Sequence, residues 1–216
     1  MLFRSFLNSC IQILNHSYEF INLLENDKFK ENLKNNCDSV LLIEYDELRK
    51  LLYSKICVIN PLKFVRIVHE VAKIKKQELF TNFIQNDLCE FLLFLIDSFH
   101  NALSREVNMT INGNILNEKD KLAVQVYEKI KLMYSKDYSE LISVFYGIQI
   151  TEISSLNDNN VLTLVPEPFL TLNLSLPENN KESNLIDCLN NYIKGEILEN
   201  ENGYFNEKSE IGRAHV

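Results

Sequence analysis

Residues 85–100 read QNDLCEFLLFLIDSFH, and this stretch carries the strongest helical pattern in the chain. Its apolar residues recur on one helical face: Leu88, Leu92, Leu95, Phe99 and Leu103. Further apolar residues beside that stripe widen it, which predicts a deeply buried helix. Asp87 stands at an N-cap position with Glu90 three residues later, which is a capping-box pattern. The stretch therefore predicts the core helix of the fold, starting near Asp87.

Three more helices are predicted before this core helix. The first extends to about Leu24. Its apolar residues repeat at alternating spacings of four and three residues: Leu7, Ile11, Leu14, Tyr18 and Ile21. The second is centred on Tyr45, with leucines on the same face. The third begins at Asn60-Pro61, a capping residue followed by proline at the first helical position.

The apolar period changes after the core helix. Residues 122–133 still have the helical period, but beyond them the period falls to two, which predicts strands. One strand is predicted around Ile148 and Ile150, and a second at residues 170–176, where leucines alternate with polar residues. The prolines that bracket this second strand are Pro166, Pro168 and Pro177. A short amphipathic segment follows at residues 185–192. Helices first and strands later predict an α+β fold.

Composition and charge narrow the class of protein. The chain has 216 residues, of which 46% are hydrophobic, enough to build a sizeable core. Its formal net charge of -8 argues against nonspecific nucleic-acid binding, which requires clustered Lys and Arg. No apolar run approaches the roughly 18 residues of a membrane span, and no signal peptide opens the chain. We therefore expect an intracellular protein, cytoplasmic or nuclear, with neither a nucleic-acid nor a membrane partner.

The cysteines are scattered along the chain without a CxxC pair: Cys10, Cys37, Cys57, Cys89 and Cys188. This spacing is typical of neither a disulfide scaffold nor a zinc ribbon. Most of them are expected to be buried thiols in a reducing compartment.

Four blocks, in order along the chain, resemble the ubiquitin-specific protease family. Residues 5–14, SFLNSCIQIL, resemble its Cys-aromatic-aliphatic-Asn-Ser box. The core-helix stretch, residues 85–100, resembles its QQDxxEFL segment and is the most specific of the four. Residues 143–147, SVFYG, resemble the start of its fingers. Residues 167–176, EPFLTLNLSL, resemble its Glu-Pro-Phe segment and alternating-leucine strand.

The resemblance implies a papain-like cysteine protease fold within the α+β class, present here as the incomplete N-terminal part of the catalytic domain. A helical thumb would occupy residues 6–135, and part of a strand-rich fingers and palm region would occupy residues 136–210.

Both ends of the chain are expected to be foreign to the gene. Residues 1–5 and 211–216 are what the two strands of one sequencing-library adapter would encode, so native sequence is expected to begin at Phe6. The source gene tests this expectation, because a serine codon before Phe6 would contradict it.

The resemblance also implies an activity, which is hydrolysis of the peptide or isopeptide bond after the C-terminal glycine of ubiquitin by a cysteine nucleophile, without a cofactor. Ser5 occupies the nucleophile position, and a hydroxyl is far less acidic than a thiol, so we expect this chain to be inactive. Gln85, Asp87 and Glu90 are expected to bind the extended, arginine-containing tail of ubiquitin. The expected partner is ubiquitin or a ubiquitinated protein.

Many members of that family hold a structural zinc ion with two CxxC pairs. Residues 153–156, ISSL, and 204–207, YFNE, stand where those pairs would be. We therefore expect no structural zinc and no other metal.

Other candidates for the catalytic groups fit the resemblance poorly. His16, His69 and His100 lie in helical patterns and match no catalytic histidine motif of the family. Cys10 and Cys89 lie inside the blocks but at helical positions, so both are expected to be ordinary packed cysteines.

Two other functions stay open. A family member without catalytic residues would only bind ubiquitin or serve as a scaffold. An unrelated helical interaction protein would carry the four blocks by coincidence, and its helix starting at Phe6 would not need to approach the start of the core helix. Asp87 and Glu90 would then only cap that helix.

Overall fold

The computed structural model describes residues 4–55, 58–82, 84–156, 161–176, 184–198 and 214–215. The chain divides into two compact units. The first is made of Met1–Thr110 and Ile130–Phe145, and the second of Ile111–Lys129 and Tyr146–Val216.

Helices dominate the first unit. In chain order, they are α1 (Arg4–Asn15), α2 (Tyr18–Leu24), α3 (Cys37–Leu52), α4 (Leu62–Ile74) and α5 (Leu88–Leu103). Two 3-10 turns, Glu25–Asn32 and Glu78–Phe80, follow α2 and α4. Helix α6 (Glu118–Tyr134) has residues in both units, and α7 (Glu140–Phe145) belongs to the first.

The core of the first unit is built around α5. Phe91 and Phe99 of this helix are at most 1% exposed. The ring of Phe99 packs against Tyr45 of α3 at 5.1 Å and against Phe20 of α2 at 5.8 Å between centroids. Burial of one such side chain stabilises the fold by about 1.5–3 kcal/mol. The prediction of a deeply buried core helix starting near Asp87 is confirmed.

The single helix predicted up to Leu24 is wrong, because the chain breaks it between α1 and α2. At the break, Nδ1 of His16 lies 2.8 Å from the Gln12 carbonyl oxygen, and Ser17 Oγ donates to the Ile13 carbonyl at 3.1 Å. These side chains satisfy carbonyl groups at the end of α1, and the backbone of Ser17 is extended. Tyr18, predicted on the buried stripe, is consequently 74% exposed. The buried residues of α2 are Phe20 and Leu24.

Helix α4 begins at Leu62, one residue later than the Asn60-Pro61 pair predicts, because Pro61 is its N-cap and not its first helical residue. Oδ1 of Asn60 accepts the backbone N–H of Leu62 at 3.1 Å, and the Pro61 carbonyl accepts the N–H of Val65 at 3.0 Å. The asparagine thus satisfies a donor that the first helical turn leaves without an intrahelical partner.

The second unit contains an antiparallel hairpin of β1 (Gly147–Ser155) and β2 (Val161–Phe169). Two short strands, β3 (Ile197–Leu198) and β4 (Ala214–His215), complete a sheet of order β2-β1-β4-β3. The Phe169 ring packs directly on Gly147, so any larger residue at the start of β1 would displace that ring. Helix α8 (Leu185–Tyr192) opens with a capping box formed by Asn184 and Asp187. The strand predicted around Ile148 and Ile150 is confirmed.

The second predicted strand is wrong, since residues 170–176 form no strand in the part of the chain that the structure describes. Pro166 and Pro168 do not bracket a strand but lie inside β2, opposite Ile150 and Ile148. Proline is tolerated there because β2 is an edge strand. Pro177 lies outside the described residues. The leucines Leu170, Leu172 and Leu174 are nevertheless half-buried, whereas Thr171, Asn173 and Ser175 are exposed.

Leu176, the fourth leucine of the pattern, is 79% exposed, so the predicted buried face is only partly present. The alternation did not identify a strand, because a strand also needs a neighbouring strand to pair with. The subdomain limits expected from the resemblance, 6–135 and 136–210, stay predictions. None of the helices in the described ranges has the length and apolar character needed to cross a membrane.

Candidate functional site

The first turns of α1 and α5 lie side by side. The ring of Phe6 packs edge-on against Phe91, with 5.1 Å between centroids. One turn further along α1, the Cys10 thiol donates to the Leu88 carbonyl oxygen at 3.4 Å. An apolar contact and a hydrogen bond thus hold the two helix starts together. The helix that contains Phe6 therefore does approach the start of the core helix. An unrelated helical protein would not need this contact.

A cleft of about 480 Å³ opens at this junction. It is lined by Phe6 and Ser9 of α1 and by Gln85, Asn86, Asp87 and Leu88 at the start of α5. Gln85 and Asp87 are exposed, so their polar groups face solvent at the cleft. Two of the three residues predicted to bind the ubiquitin tail therefore line one cleft together with the block around Phe6.

Glu90, the third predicted residue, lies in the first turn of α5 and is exposed, although it is not part of the cleft lining. Its backbone N–H donates to Oδ1 of Asp87 at 3.0 Å, which makes Asp87 the N-cap of α5. Two carboxylates thus stand at the start of one helix, where the helix dipole favours negative charge. Asp87 has a structural role that does not prevent it from also contacting a ligand.

Ser5 lies in the first turn of α1, and its side chain is outside the described residues. The assignment of Ser5 to the nucleophile position stays a prediction. What the structure adds is the location of that turn, which is followed at once by the cleft-lining Phe6.

The two cysteines near the cleft have different environments. Cys10 is fully buried, and burial, together with the neighbouring Cys89 and Asp87, raises the pKa of its thiol to about 12. A thiol with such a pKa is protonated at neutral pH and is therefore a poor nucleophile. The expectation of a packed Cys89 is wrong, because that residue is exposed on the solvent side of the first turn of α5.

None of the three candidate histidines lines the cleft. His16 is exposed at the end of α1. Burial and the nearby Lys73 lower the pKa of His69, which lies on α4. His100 belongs to a cluster at the end of α5 instead.

The His100 cluster combines residues that sequence patterns did not bring together. Nδ1 of His100 lies 2.7 Å from Ser139 Oγ, and Nε2 lies 3.4 Å from the Asp137 carboxylate. A hydrogen bond from Ser104, and then the charges of His100 and Lys34, lower the pKa of Asp137. A serine, a histidine and an aspartate that contact one another in this way resemble the catalytic triad of a hydrolase. Ser139, however, is fully buried and cannot reach a substrate. The cluster is therefore structural.

No group of three or more metal-binding side chains occurs among the residues with described positions. Residues 153–156, at one of the two places where zinc-binding cysteine pairs would be, lie at the end of β1 and just beyond it. Residues 204–207 lie outside the described residues. The expected absence of structural zinc stays a prediction.

Comparison with known proteins connects these features to one family. Residues 3–195 match the family model described as "Ubiquitin carboxyl-terminal hydrolase". The chain is 26% identical over 198 residues to ubiquitin carboxyl-terminal hydrolase Usp2 of Drosophila melanogaster, covering 90% of this chain and 20% of that protein. It is 29% identical over 156 residues to ubiquitin carboxyl-terminal hydrolase 4 of Arabidopsis thaliana, covering 70% and 40%. The chain thus spans well under half of these relatives.

Solved structures match the fold. A SAGA DUB module that contains Ubp8 and is bound to monoubiquitin aligns with a TM-score of 0.65 at 20% identity, covering 98% of this chain and 42% of that one. A second structure of such a module aligns with a TM-score of 0.64 at 22% identity. These matches confirm the predicted fold class, an incomplete papain-like α+β domain.

Proposed function

The chain belongs to the ubiquitin carboxyl-terminal hydrolase family, and on this premise we propose that the whole protein is a thiol-dependent deubiquitinase. A cysteine thiolate at the start of α1 would attack the carbonyl carbon of the terminal glycine of ubiquitin. The amine of the target would leave with a proton, and water would then hydrolyse the acyl-thioester. The N-terminus of α1 would help to keep that thiolate ionised, because the helix dipole favours negative charge there.

The observation that carries this proposal is the cleft between the first turns of α1 and α5. The helix that would bear the nucleophile and the helix that bears exposed carboxylates border the same opening. An extended peptide lying in it would have its carbonyl groups near the start of α1 and its side chains near Gln85 and Asp87.

We further propose that this cleft binds the tail of ubiquitin. Asp87 and Glu90 would form charge-assisted hydrogen bonds with an arginine of the tail, and such bonds are stronger than neutral ones. Gln85 would bond to its backbone, because the glutamine side chain both donates and accepts. Support comes from the exposure of all three side chains beside or at the rim of one cleft.

With Ser5 at the nucleophile position, this chain would bind the tail without cleaving the bond. A serine hydroxyl in a site suited to a thiolate attacks a carbonyl group poorly. The alternative is a protein that evolved as a binding or scaffold member of the family. The source gene separates these two cases, since a native cysteine codon before Phe6 excludes natural loss of the nucleophile.

Tail binding can be tested on the 216-residue chain itself. Asp87→Asn and Glu90→Gln should each weaken binding of a synthetic ubiquitin-tail peptide, by about three- to tenfold, because each removes a charged acceptor. Asparagine caps a helix as well as aspartate does, so Asp87→Asn should lower the thermal midpoint only slightly, through loss of the charge that the helix dipole favours. Glu70→Gln is the matched control, since Glu70 is an exposed carboxylate on α4 away from the cleft lining. Equal peptide affinity in all four proteins would contradict the proposal.

Enzyme activity can be tested on the full product of the source gene. That product should react with a ubiquitin electrophile probe that traps active-site thiols. No reaction by a product that has the native cysteine and histidine would favour the binding or scaffold alternative.

A further inference from the structure

We propose that Asn86 is a positioning residue of the cleft, whose side-chain amide ties the loop before α5, described at residues 81–82 and 84–86, to Leu79 and so fixes how Gln85 and Asp87 face the ubiquitin tail. This inference rests on the proposed function, since it assigns a role within the same site. Asn86 lies between two residues that line the cleft. It occupies the position of the second glutamine in the QQDxxEFL segment that this block resembles.

The hydrogen bonds of Asn86 point into the loop. Its Nδ2 atom donates to the Leu79 carbonyl oxygen at 2.7 Å and to the Ile84 carbonyl oxygen at 3.4 Å. An amide nitrogen carries two hydrogens, so it can serve both acceptors at once. Asn86 is accordingly half-buried, whereas Gln85 and Asp87 on either side are exposed. The three consecutive side chains thus divide into one that holds the loop and two that face outward.

The acceptor of the shorter bond belongs to a firmly anchored element. Leu79 lies in the 3-10 turn Glu78–Phe80, and Phe80 is 5% exposed. The Phe80 ring lies 5.0 Å from the ring of Phe94 and 5.3 Å from that of Phe91, both on α5. Asn86 therefore ties the end of the loop to a turn that is packed against the core helix.

The other end of the loop is fixed by the cap of α5, where Asp87 accepts the N–H of Glu90. The loop is then held at Phe80, at Asn86 and at Asp87. Without the Asn86 bond, the segment between the Phe80 anchor and the cap would have more accessible conformations. Binding of the peptide would then have to order Gln85 and Asp87, and the lost conformational entropy would weaken the affinity. With the Asn86 bond in place, these residues are already ordered when the chain folds.

The experiment compares two substitutions at Asn86 with one control. Asn86→Ala removes the donor, and Asn86→Asp replaces it at nearly the same size with a carboxylate that the two carbonyl oxygens repel. Asn82→Ala is the control, because Asn82 is an exposed asparagine of the same loop. Amide hydrogen exchange at residues 84–87 of the free chain, affinity for the synthetic ubiquitin-tail peptide and the thermal midpoint are measured for each.

Both Asn86 variants should exchange these amides roughly tenfold faster, as expected for loss of one hydrogen bond that stabilises a loop. Both should bind the peptide about three- to tenfold more weakly, with a thermal midpoint close to that of the unsubstituted chain. The Asn82 variant should match the unsubstituted chain in all three measurements.

Unchanged exchange in both Asn86 variants would overturn the inference, whatever the peptide data show. Faster exchange with unchanged affinity would also overturn it, because the bond would then hold the loop without serving the cleft. Failure of the unsubstituted chain to bind the peptide would instead contradict tail binding, and the exchange rates would still decide whether Asn86 orders the loop.

Discussion

At the scale of residues, Cys10 and Cys89 show how burial separates two thiols beside the same cleft. Cys10 faces the junction of α1 and α5, where its thiol donates to a carbonyl oxygen and has a pKa of about 12. Cys89 faces solvent. The sequence predicted correctly that Cys10 is buried. It also predicted a packed Cys89, because both cysteines lie within apolar helical patterns. Which side of the first turn of α5 is covered depends on how α1 packs, and the sequence pattern does not show this.

We expect iodoacetamide at pH 8 to modify Cys89 at least about a hundredfold faster than Cys10. The reactive species is the thiolate, and both burial and the raised pKa keep the Cys10 thiolate scarce. Mass spectrometry of the digested chain gives both rates. Urea should bring the two rates together, and a Cys89→Ser variant should lose the fast reaction. Equal rates in the folded chain would contradict the assigned burial.

A buried ion pair on α3 was not predicted from the sequence, since charged residues in a helical pattern usually face solvent. Asp46 is fully buried, and its carboxylate lies 2.7 Å from Nη2 of Arg49 and 2.8 Å from Nζ of Lys50. Lys50 also contacts Asp27 at 2.7 Å, an aspartate with 53% side-chain exposure. Both aspartates contact Lys50, but Asp27 is exposed and also contacts Lys30 at 3.0 Å.

Asp46→Ala should lower the free energy of unfolding by about 3–5 kcal/mol, because it leaves the Arg49 charge buried without its partner. Asp27→Asn should lower it far less, as expected for exposed ion pairs, and asparagine tolerates the left-handed backbone of this position (φ 57°). Urea denaturation monitored by circular dichroism measures both. Similar losses in the two variants would show that burial does not govern the strength of these pairs.

At the scale of elements, capping residues in the sequence predicted where two helices start. The elements that were predicted wrongly depend on contacts between residues distant in the sequence. Asp87 caps α5, and Asn60 accepts the first N–H of α4, in both cases through contacts within a few residues, so the sequence contains what is needed. The break between α1 and α2 was missed because the apolar spacing continues across it. The leucines of residues 170–176 were assigned to a strand because alternation does not reveal the pairing partner.

Asp87→Ala should lower the free energy of unfolding by about 0.5–2 kcal/mol, since it removes the side chain that accepts the Glu90 N–H at the start of α5. Asp87→Asn should restore most of that loss. The comparison of their urea midpoints therefore isolates capping from charge. A destabilised asparagine variant would indicate that the charge of Asp87 itself stabilises the helix start.

At the scale of the molecule, the order of blocks predicted the family and the fold class, while none of the histidines in the described ranges lines the cleft. Almost the whole chain aligns with about two-fifths (42%) of a solved chain of the same fold. The cleft could be predicted because its walls are two of the recognised blocks. The hydrogen bonds of Asn86 could not be predicted, because they depend on the backbone path that brings Asn86 back to Leu79.

Ser5→Cys in the 216-residue chain should not produce hydrolysis of a fluorogenic ubiquitin substrate. The substitution restores a thiol, but none of the described histidines lines the cleft to serve as its base. Release of the fluorophore above the rate of the unsubstituted chain would contradict this expectation. The same variant should still bind the tail peptide as tightly as the unsubstituted chain does.

The two prolines of β2 have a consequence for assembly. They lie two residues apart in a strand that pairs with β1, so their ring nitrogens face the same side of β2. Proline within a paired strand keeps its nitrogen on the unpaired side, so at the outer edge of the described sheet neither proline donates a hydrogen bond to an added strand. That edge is consequently a poor template for a second molecule, which protects the hairpin against intermolecular polymerisation. Pro166→Val combined with Pro168→Val should increase light scattering of concentrated solutions over time, whereas unchanged scattering would show that the edge is protected by other means.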